Sequence, residues 1–475
     1  MLFNSFDFGF FLVLAFLMYW GIGAKRRKSQ NLFLLLASYF FYACWDWRFL
    51  GLLIASSLVD YWVGIQIGKS NHSLRKKGWL SFSILWNLGV LFTFKYFGFF
   101  VENFEALFGI PHTTEYNFWN VAIPLGLSFY TFQTMGYSID VYRKHITPTK
   151  SLLEFSCFVS FFPQLVAGPI ERAKKLLPQF ERERHFQLQD AKEGLRQILW
   201  GLFKKIIVAE KLGMAVQMAF NQPEQYHSIT LIYAIILFCF QVYCDFSGYT
   251  DIALGTAKLF GFKLSRNFNL PYLSKSLSEL WQRWHITLTR WFTDYVYIPF
   301  VKSFKHRNAF IRAIGLLITM TLVGFWHGAK WTFVIFGLLN GLILVVERLP
   351  LFPKKETLQN KLQQAPRWVP LLYVFVVFTI IGLFFRAESL KQAWTIITQI
   401  YHVASQGAIT TLIGWKVGYL LLMIAAEMAF RKYEYPLQKL ETWLPKPLRW
   451  GLYYLVIFII IRYAEPKEAF IYFQF

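Results

Sequence analysis

Long apolar runs alternate along this chain with short polar loops that are mostly basic. The runs lie near 6–24, 31–45, 48–68, 79–100, 120–139, 195–219, 229–247, 309–326, 331–349, 368–385, 413–430 and 451–463. Such lengths suit helices, because about 20 helical residues at 1.5 Å each cross a hydrocarbon layer. Strands of a membrane barrel would alternate apolar and polar positions instead. The pattern predicts an all-α polytopic membrane protein with about 11–12 transmembrane helices.

Three segments break the pattern. Residues 152–170 are apolar but flanked by basic residues and interrupted by Pro163 and Pro169. Residues 249–263 are short and carry Asp251 and Lys258, and 277–300 mix Trp, Arg and His. They read as re-entrant or interfacial helices. Irregular backbone at membrane depth persists only where protein or a water-filled cavity satisfies it, so these segments imply a cavity. No internal repeat is visible, which argues against an inverted-repeat transporter.

Composition agrees with this reading. Of 475 residues, 56% are hydrophobic and 20% aromatic, and only 16% are charged against about 25% in soluble domains. The mean hydropathy is +0.38. No hydrophilic stretch is long enough for a separate soluble domain, so residues 1–475 are expected to form one integral-membrane domain. The N-terminus lacks a basic region and a cleavage site and reads as a retained first span. The four cysteines form no Cys-x-x-Cys pair, so neither a metal site nor a disulfide is expected.

The net charge of +22 would suggest nucleic acid in a soluble protein. Here the basic residues occupy short loops, where they encode orientation, and no nucleic-acid partner is expected. Lys25-Arg26-Arg27-Lys28, Arg75-Lys76-Lys77 and Arg143-Lys144 follow the first, third and fifth runs. The loop from Glu102 to Asn117 has three glutamates and no Lys or Arg. Residues 172–192, 302–312, 348–367 and 431–449 are basic, and 221–228 have no Lys or Arg. The N-terminus is therefore expected outside and the basic loops inside, facing anionic lipid. Some inner cations could also meet an anionic substrate such as a coenzyme A phosphate.

Between Ile314 and Val346 the only titratable side chains are His327 and Lys330. An imidazole exchanges protons near neutral pH, and hydrocarbon is a costly place for it, so His327 is a candidate catalytic residue. Gly324 and Gly328 leave room beside it for backbone or ligand. Lys330 would disfavour imidazolium and keep His327 in the neutral form that a general base needs. The bland alternative is a core histidine bonded to a carbonyl.

His285 is the second candidate, in Gln282-Arg283-Trp284-His285-Ile286-Thr287-Leu288-Thr289-Arg290-Trp291. Arg283 and Arg290 are seven apart, so one helix would show both on one face, toward lipid phosphates or a coenzyme. An interfacial belt of Trp and Arg is the alternative there. In Tyr243-Cys244-Asp245-Phe246-Ser247-Gly248-Tyr249-Thr250-Asp251 two carboxylates could pair with Lys or Arg, or orient a histidine. Serine-elbow, phosphate-loop and zinc-protease motifs are absent from the sequence. A buried neutral base without metal or nucleophile motif suits deprotonation of an alcohol attacking an activated acyl group.

At these residues the chain resembles the membrane-bound O-acyltransferases, in the branch of the alginate O-acetylation membrane protein. The resemblance is carried by residues 282–291 with Asp294-Tyr295-Val296-Tyr297-Ile298-Pro299, and by Gly324-Phe325-Trp326-His327-Gly328-Ala329-Lys330-Trp331-Thr332. It extends to Pro163-Gln164-Leu165-Val166-Ala167-Gly168-Pro169-Ile170, to 243–251 and to the C-terminal 470–475.

The resemblance implies helices around a central catalytic tunnel, with funnels from both faces. It implies His327 as the catalytic histidine within the membrane, although loop charges place it near the outer end of its span. It implies His285 at a second polar site, where it would orient the donor carbonyl or polarise its oxygen. Trp326, Arg283, Trp284, Arg290, Asp245 and Tyr249 are the candidate substrate-binding residues. The expected donor is acetyl-CoA or another acyl thioester, with no tightly bound cofactor. The expected acceptor is a hydroxyl of an extracytoplasmic polysaccharide, reached directly or through an SGNH-hydrolase-like partner. The expected location is the bacterial cytoplasmic (inner) membrane, as a multi-pass protein. Two other functions remain open: a transporter or flippase of acylated glycan precursors, and a non-catalytic scaffold for an extracytoplasmic acetyltransferase.

Overall fold

The computed structural model describes residues 1–110, 123–350, 356–401, 412 and 414–463. The outer part of the expected loop reaching Asn117, the starts of the runs at 120 and 413, and the motif at 470–475 lie outside the described residues. The described elements are all helices. They group into two compact units, 1–198 with 252–265, and 199–251 with 266–475.

The first unit holds α1 (Phe6–Gly21), α2 (Arg27–Asp46), α3 (Leu50–Lys69), α4 (Ser73–Leu91), α5 (Phe97–Phe108), α6 (Leu127–Tyr142), α7 (Leu152–Ser160), α8 (Phe162–Leu165), α9 (Ala173–Glu181) and most of α10 (Leu188–Leu202). Its core contains polar side chains that satisfy one another. Asp60 on α3 is fully buried and accepts from Ser83 on α4, from Ser138 Oγ on α6 at 2.8 Å and from Asn87 Nδ2 on α4 at 2.8 Å. A buried carboxylate is tolerated only with such partners, and these tie three helices in one register. Buried Arg184 is held the same way, donating to Tyr19 Oη and Asn31 Oδ1, each at 2.6 Å.

The second unit continues with α11 (Glu210–Asn221), the first six turns of α12 (Ser228–Leu259), α13 (Leu277–Arg283), α14 (Ile286–Phe292), α15 (Ile298–Ser303), α16 (Ala309–His327), α17 (Trp331–Arg348), α18 (Leu358–Gln364), α19 (Trp368–Arg386), α20 (Leu390–Tyr401), α21 (Val417–Ala429) and α22 (Lys446–Tyr463). Among the described residues six helical stretches are long and apolar enough to cross a membrane: Arg27–Lys69, Ser73–Phe108, Ser228–Leu259, Ala309–His327, Trp331–Arg348 and Trp368–Arg386. Phe6–Gly21 and Val417–Ala429 are shorter apolar helices. The expected run at 195–219 is helical throughout, with a wider π turn at Phe203–Ala209 joining α10 to α11.

One expected boundary is wrong. Residues 249–263 are not a separate re-entrant piece, because α12 runs unbroken from Ser228 to Leu259. The polar residues that suggested a break are neutralised sideways: Lys204 Nζ lies 2.7 Å from Asp251. The segment at 277–300 is broken, as its mixed composition suggested. It forms α13, α14 and α15, with His285 in a left-handed conformation between the first two and a π turn at Thr293–Tyr297 before the third. Residues 152–170 likewise divide, into α7 and α8 at Phe161.

Candidate active site

The site is built on the hairpin of α16 and α17. Asn308 caps the start of α16, accepting from Ile311 N at 3.0 Å, and the helix ends on His327. Gly328 is extended, and α17 starts three residues later at Trp331. The room beside Gly324 goes to backbone. A Cβ there would strike the Phe333 carbonyl and stand 2.8 Å from Gly337 Cα, and one at Gly337 would strike the Met320 carbonyl. The two helices therefore cross in direct backbone contact, the geometry that small residues allow between membrane helices. Gly328 faces the Phe333 ring, 2.5 Å from a Cβ placed there. His327 is 3% exposed, and its ring stands among Trp326, Phe385 and Phe336 at centroid distances of 4.9, 5.0 and 6.1 Å, all edge-on.

The hairpin also places α13. Glu347, fully buried near the end of α17, accepts from Leu277 N at 2.6 Å and Ser278 N at 3.0 Å, capping the first turn of α13. Asn340 Oδ1 accepts from Trp281 Nε1 at 3.1 Å. A carboxylate at a helix N-terminus satisfies N–H groups that otherwise have no partner in the helix.

Past α13 the chain turns back on itself at His285, with φ 40° and ψ 54°. A left-handed backbone at a non-glycine residue costs roughly 1 kcal/mol or more and persists where its surroundings dictate it. Those surroundings are the segment before α13. Ile286 N donates to Asn267 O at 2.9 Å, and Asn269 N donates to Arg283 O at 2.9 Å. The Asn267 side chain lies under the turn, with Oδ1 3.1 Å from His285 Nδ1, 3.2 Å from Thr287 N and 3.0 Å from Thr287 Oγ1. His285 is fully buried, edge-on to Phe246 at 4.7 Å and to Trp326 at 5.8 Å. Burial pushes its pKa from 6.5 down to about 3. The Trp326 indole touches both imidazoles.

A cavity of about 20 Å³ borders His327, lined by Phe238, Cys239 and Val242 of α12, Trp281, Trp284, Phe336, and Phe378, Gly382 and Phe385 of α19. That is room for about one water. Apart from the Cys239 thiol, His327 is the only ionisable side chain in this lining. Its walls are otherwise aromatic and aliphatic.

The sequence then agrees with known proteins. The profile of the membrane-bound O-acyltransferase family matches residues 140–390. A protein named probable alginate O-acetylase from Azotobacter vinelandii is 36% identical over 398 residues, covering 83% of this chain and 77% of that one. The chain belongs to the membrane-bound O-acyltransferase family. A like-named protein of Pseudomonas aeruginosa is 34% identical over 94% of this chain and 84% of its own. The peptidoglycan O-acetyltransferase of Helicobacter pylori is 32% identical over 83% of this chain and 78% of its own. The protein is thus an acyltransferase and a polytopic membrane protein.

Within this acyltransferase the structure brings His327, Trp326, Trp284 and His285 together and separates the arginines. The helix that would have aligned Arg283 with Arg290 is broken at His285. Arg283 pairs with Glu279 at 2.7 Å and Arg290 is exposed. Asp245 is buried against Lys205, and Tyr249 is buried one turn along on α12.

Four interior polar groups near these elements escaped the sequence reading. Lys204 and Lys205 sit buried on the π turn, and Glu427 is half-buried on α21. Lys204 meets Asp251 at 2.7 Å, Glu427 at 3.7 Å and Ser247 Oγ at 2.9 Å, and Tyr243 Oη donates to Glu427 at 2.8 Å. Charges inside the runs at 195–219 and 413–430 were the available signal, since hydrocarbon makes them expensive. Asn267, the fourth, has no periodic signature. Among the described residues no group of three or more His, Cys, Asp or Glu side chains could hold a metal.

Proposed function

We propose that this protein moves an acetyl group from a cytoplasmic thioester, acetyl-CoA, to a hydroxyl of an extracytoplasmic polysaccharide, with His327 as general base. The observation that carries the reading is an aromatic-walled cavity whose lining holds one imidazole, that of His327. His327 takes the proton as the hydroxyl oxygen attacks the thioester carbonyl. The tetrahedral intermediate collapses with loss of the thiolate, and the proton passes from the imidazole to that sulfur. Acyl thioester and alcohol become ester and thiol, with no net proton change.

The relatives' names support a sugar-polymer acceptor, as they act on alginate and on peptidoglycan. Where transfer is relayed instead of direct, the attacking hydroxyl belongs to an SGNH-hydrolase-like partner outside the membrane, which passes the acetyl group on to the polymer. No cofactor is required, and the acyl-CoA is a substrate. Trp326 and Trp284 flank the reacting groups, and Asp245 and Tyr249 act through α12. The basic loops face the cytoplasm of a bacterial inner membrane, where they meet both anionic lipid and the donor.

Purified protein incubated with acetyl-CoA is expected to release free thiol at a rate that rises when an acceptor glycan is added. Glycan movement across vesicles without thiol release would instead identify a flippase. Polymer acetylation that needs the protein but proceeds without such release would identify a scaffold. The orientation has its own test. In sealed right-side-out membranes a cysteine placed at Gln225 should react with an impermeant maleimide, and one placed at Ser73 should react only after permeabilisation. The reverse pattern would invert the topology.

A further inference from the structure

The three contacts on Asn267 Oδ1 decide more than the shape of the turn at His285. A backbone N–H can only donate, so the atom 3.2 Å from Thr287 N must be the amide oxygen and not the amide nitrogen. An amide oxygen only accepts. The His285 nitrogen 3.1 Å from that oxygen must therefore carry a hydrogen. A neutral imidazole carries one hydrogen, and with it on Nδ1 the lone pair is on Nε2. Full burial, with Phe246 and Trp326 edge-on to the ring, keeps the imidazole neutral.

We propose that Asn267 is a positioning residue that fixes His285 with its proton on Nδ1 and its lone pair on Nε2, so that His285 meets the substrates as a hydrogen-bond acceptor and not as a donor to the thioester carbonyl. Polarising that oxygen from Nε2 would need a hydrogen the tautomer does not place there. The fitting partners are groups that bring a hydrogen: the attacking hydroxyl, or an amide N–H of the donor's pantetheine arm.

Other features point the same way. Asn267 is fully buried, and its Nδ2 has no hydrogen-bond partner. Its hydrogen-bonding work in the fold is thus done by the oxygen. An aspartate would satisfy the same three donors without leaving an unpaired N–H, but it would add a charge that draws His285 toward imidazolium and removes the lone pair. An asparagine keeps the acceptor set while leaving the imidazole neutral. The left-handed backbone at His285 is the strain accepted to bring Nδ1 over that oxygen.

The kinetic arm of the test rests on the acetyl-transfer reading above, and the spectroscopic arm does not. Nitrogen NMR of histidine-labelled protein in bilayers, with the His285 signals assigned by their loss in His285→Gln, should show a protonated Nδ1 and an unprotonated Nε2. A proton on Nε2 overturns the proposal. In turnover, Asn267→Ala should lower kcat by about 100-fold, the scale of a reacting group misplaced by about 1 Å. Asn267→Asp should keep more of the rate. Its carboxylate holds the same tautomer but raises the imidazole pKa, so the acid limb of the kcat profile moves to higher pH. Equal losses in Ala and Asp, with both profiles unshifted, would reduce Asn267 to a structural part and overturn its positioning role. Should Asn267→Ala not fold, the wild-type spectrum and the Asp profile decide the matter. If the wild type releases no thiol from acetyl-CoA, the function proposed above fails while the tautomer is still settled by the spectrum.

Discussion

Replacing His327 by glutamine is expected to lower the turnover of acetyl transfer by about 10²- to 10⁴-fold, the usual contribution of a positioned general base. Glutamine is close to histidine in bulk and can still fill a place among Trp326, Phe336 and Phe385, so the helix pair should survive. What it lacks is a nitrogen basic enough to hold the hydroxyl proton in the transition state. The loss should appear in kcat, with KM for acetyl-CoA little changed, because a general base acts on the proton moved in the transition state and not on donor binding. The check is thiol release by purified variant and wild type across donor concentrations, beside a thermal unfolding curve for each. An unchanged kcat would remove His327 from the base role. A collapsed unfolding temperature would assign it to packing.

The second large effect concerns stability. Lys205 and Asp245 form an ion pair in which both residues are 3% exposed. Removing one member leaves the other charge buried, which costs about 3–5 kcal/mol, whereas replacing both with apolar residues is often neutral or better. Lys205→Met is therefore expected to lower unfolding stability strongly, and Lys205→Met with Asp245→Leu to recover most of the loss. Denaturation of the three proteins in one detergent measures this. Equal stability of the single and double variants would mean that Asp245 is not left as a costly buried charge when Lys205 is removed. Activity should follow stability in the single variant, since α12 also supplies Phe246 against His285.

The sequence made some parts of this protein legible and hid others for identifiable reasons. Apolar length marked α16, α17 and α19, because hydrocarbon demands it. His327 stood out because a titratable group in such a run is expensive. Charge patterning could not reveal which lysine meets which carboxylate, since Lys204 and Asp251 lie on different helices and only packing joins them. The polar stretch 243–251 suggested a boundary because its partners on the π turn were invisible. Asn267 had no local signature at all. Its importance comes from a backbone turn at His285 eighteen residues later, and no periodic pattern encodes such a contact. Gly324 was read as leaving room, and it does, but the occupant is the backbone of α17 rather than a ligand.

That close crossing has a mechanical side. Two helices in backbone contact have no layer of side chains between them that can yield, so α16 and α17 move as one stiff piece. Glu347 and Asn340 fasten α13 to it and carry Trp281 along. The imidazole of His327 is thus mounted on a fixed jaw. A space of about 20 Å³ must widen before a thioester can enter. The facing wall comes from α12 and α19, where a Cβ on Gly382 would stand only 3.1 Å from Cys239 Sγ and the Phe385 ring packs against Phe333 and Phe336 of α17. Room beside His327 is therefore made by turning the aromatic side chains that line it rather than by parting α16 from α17.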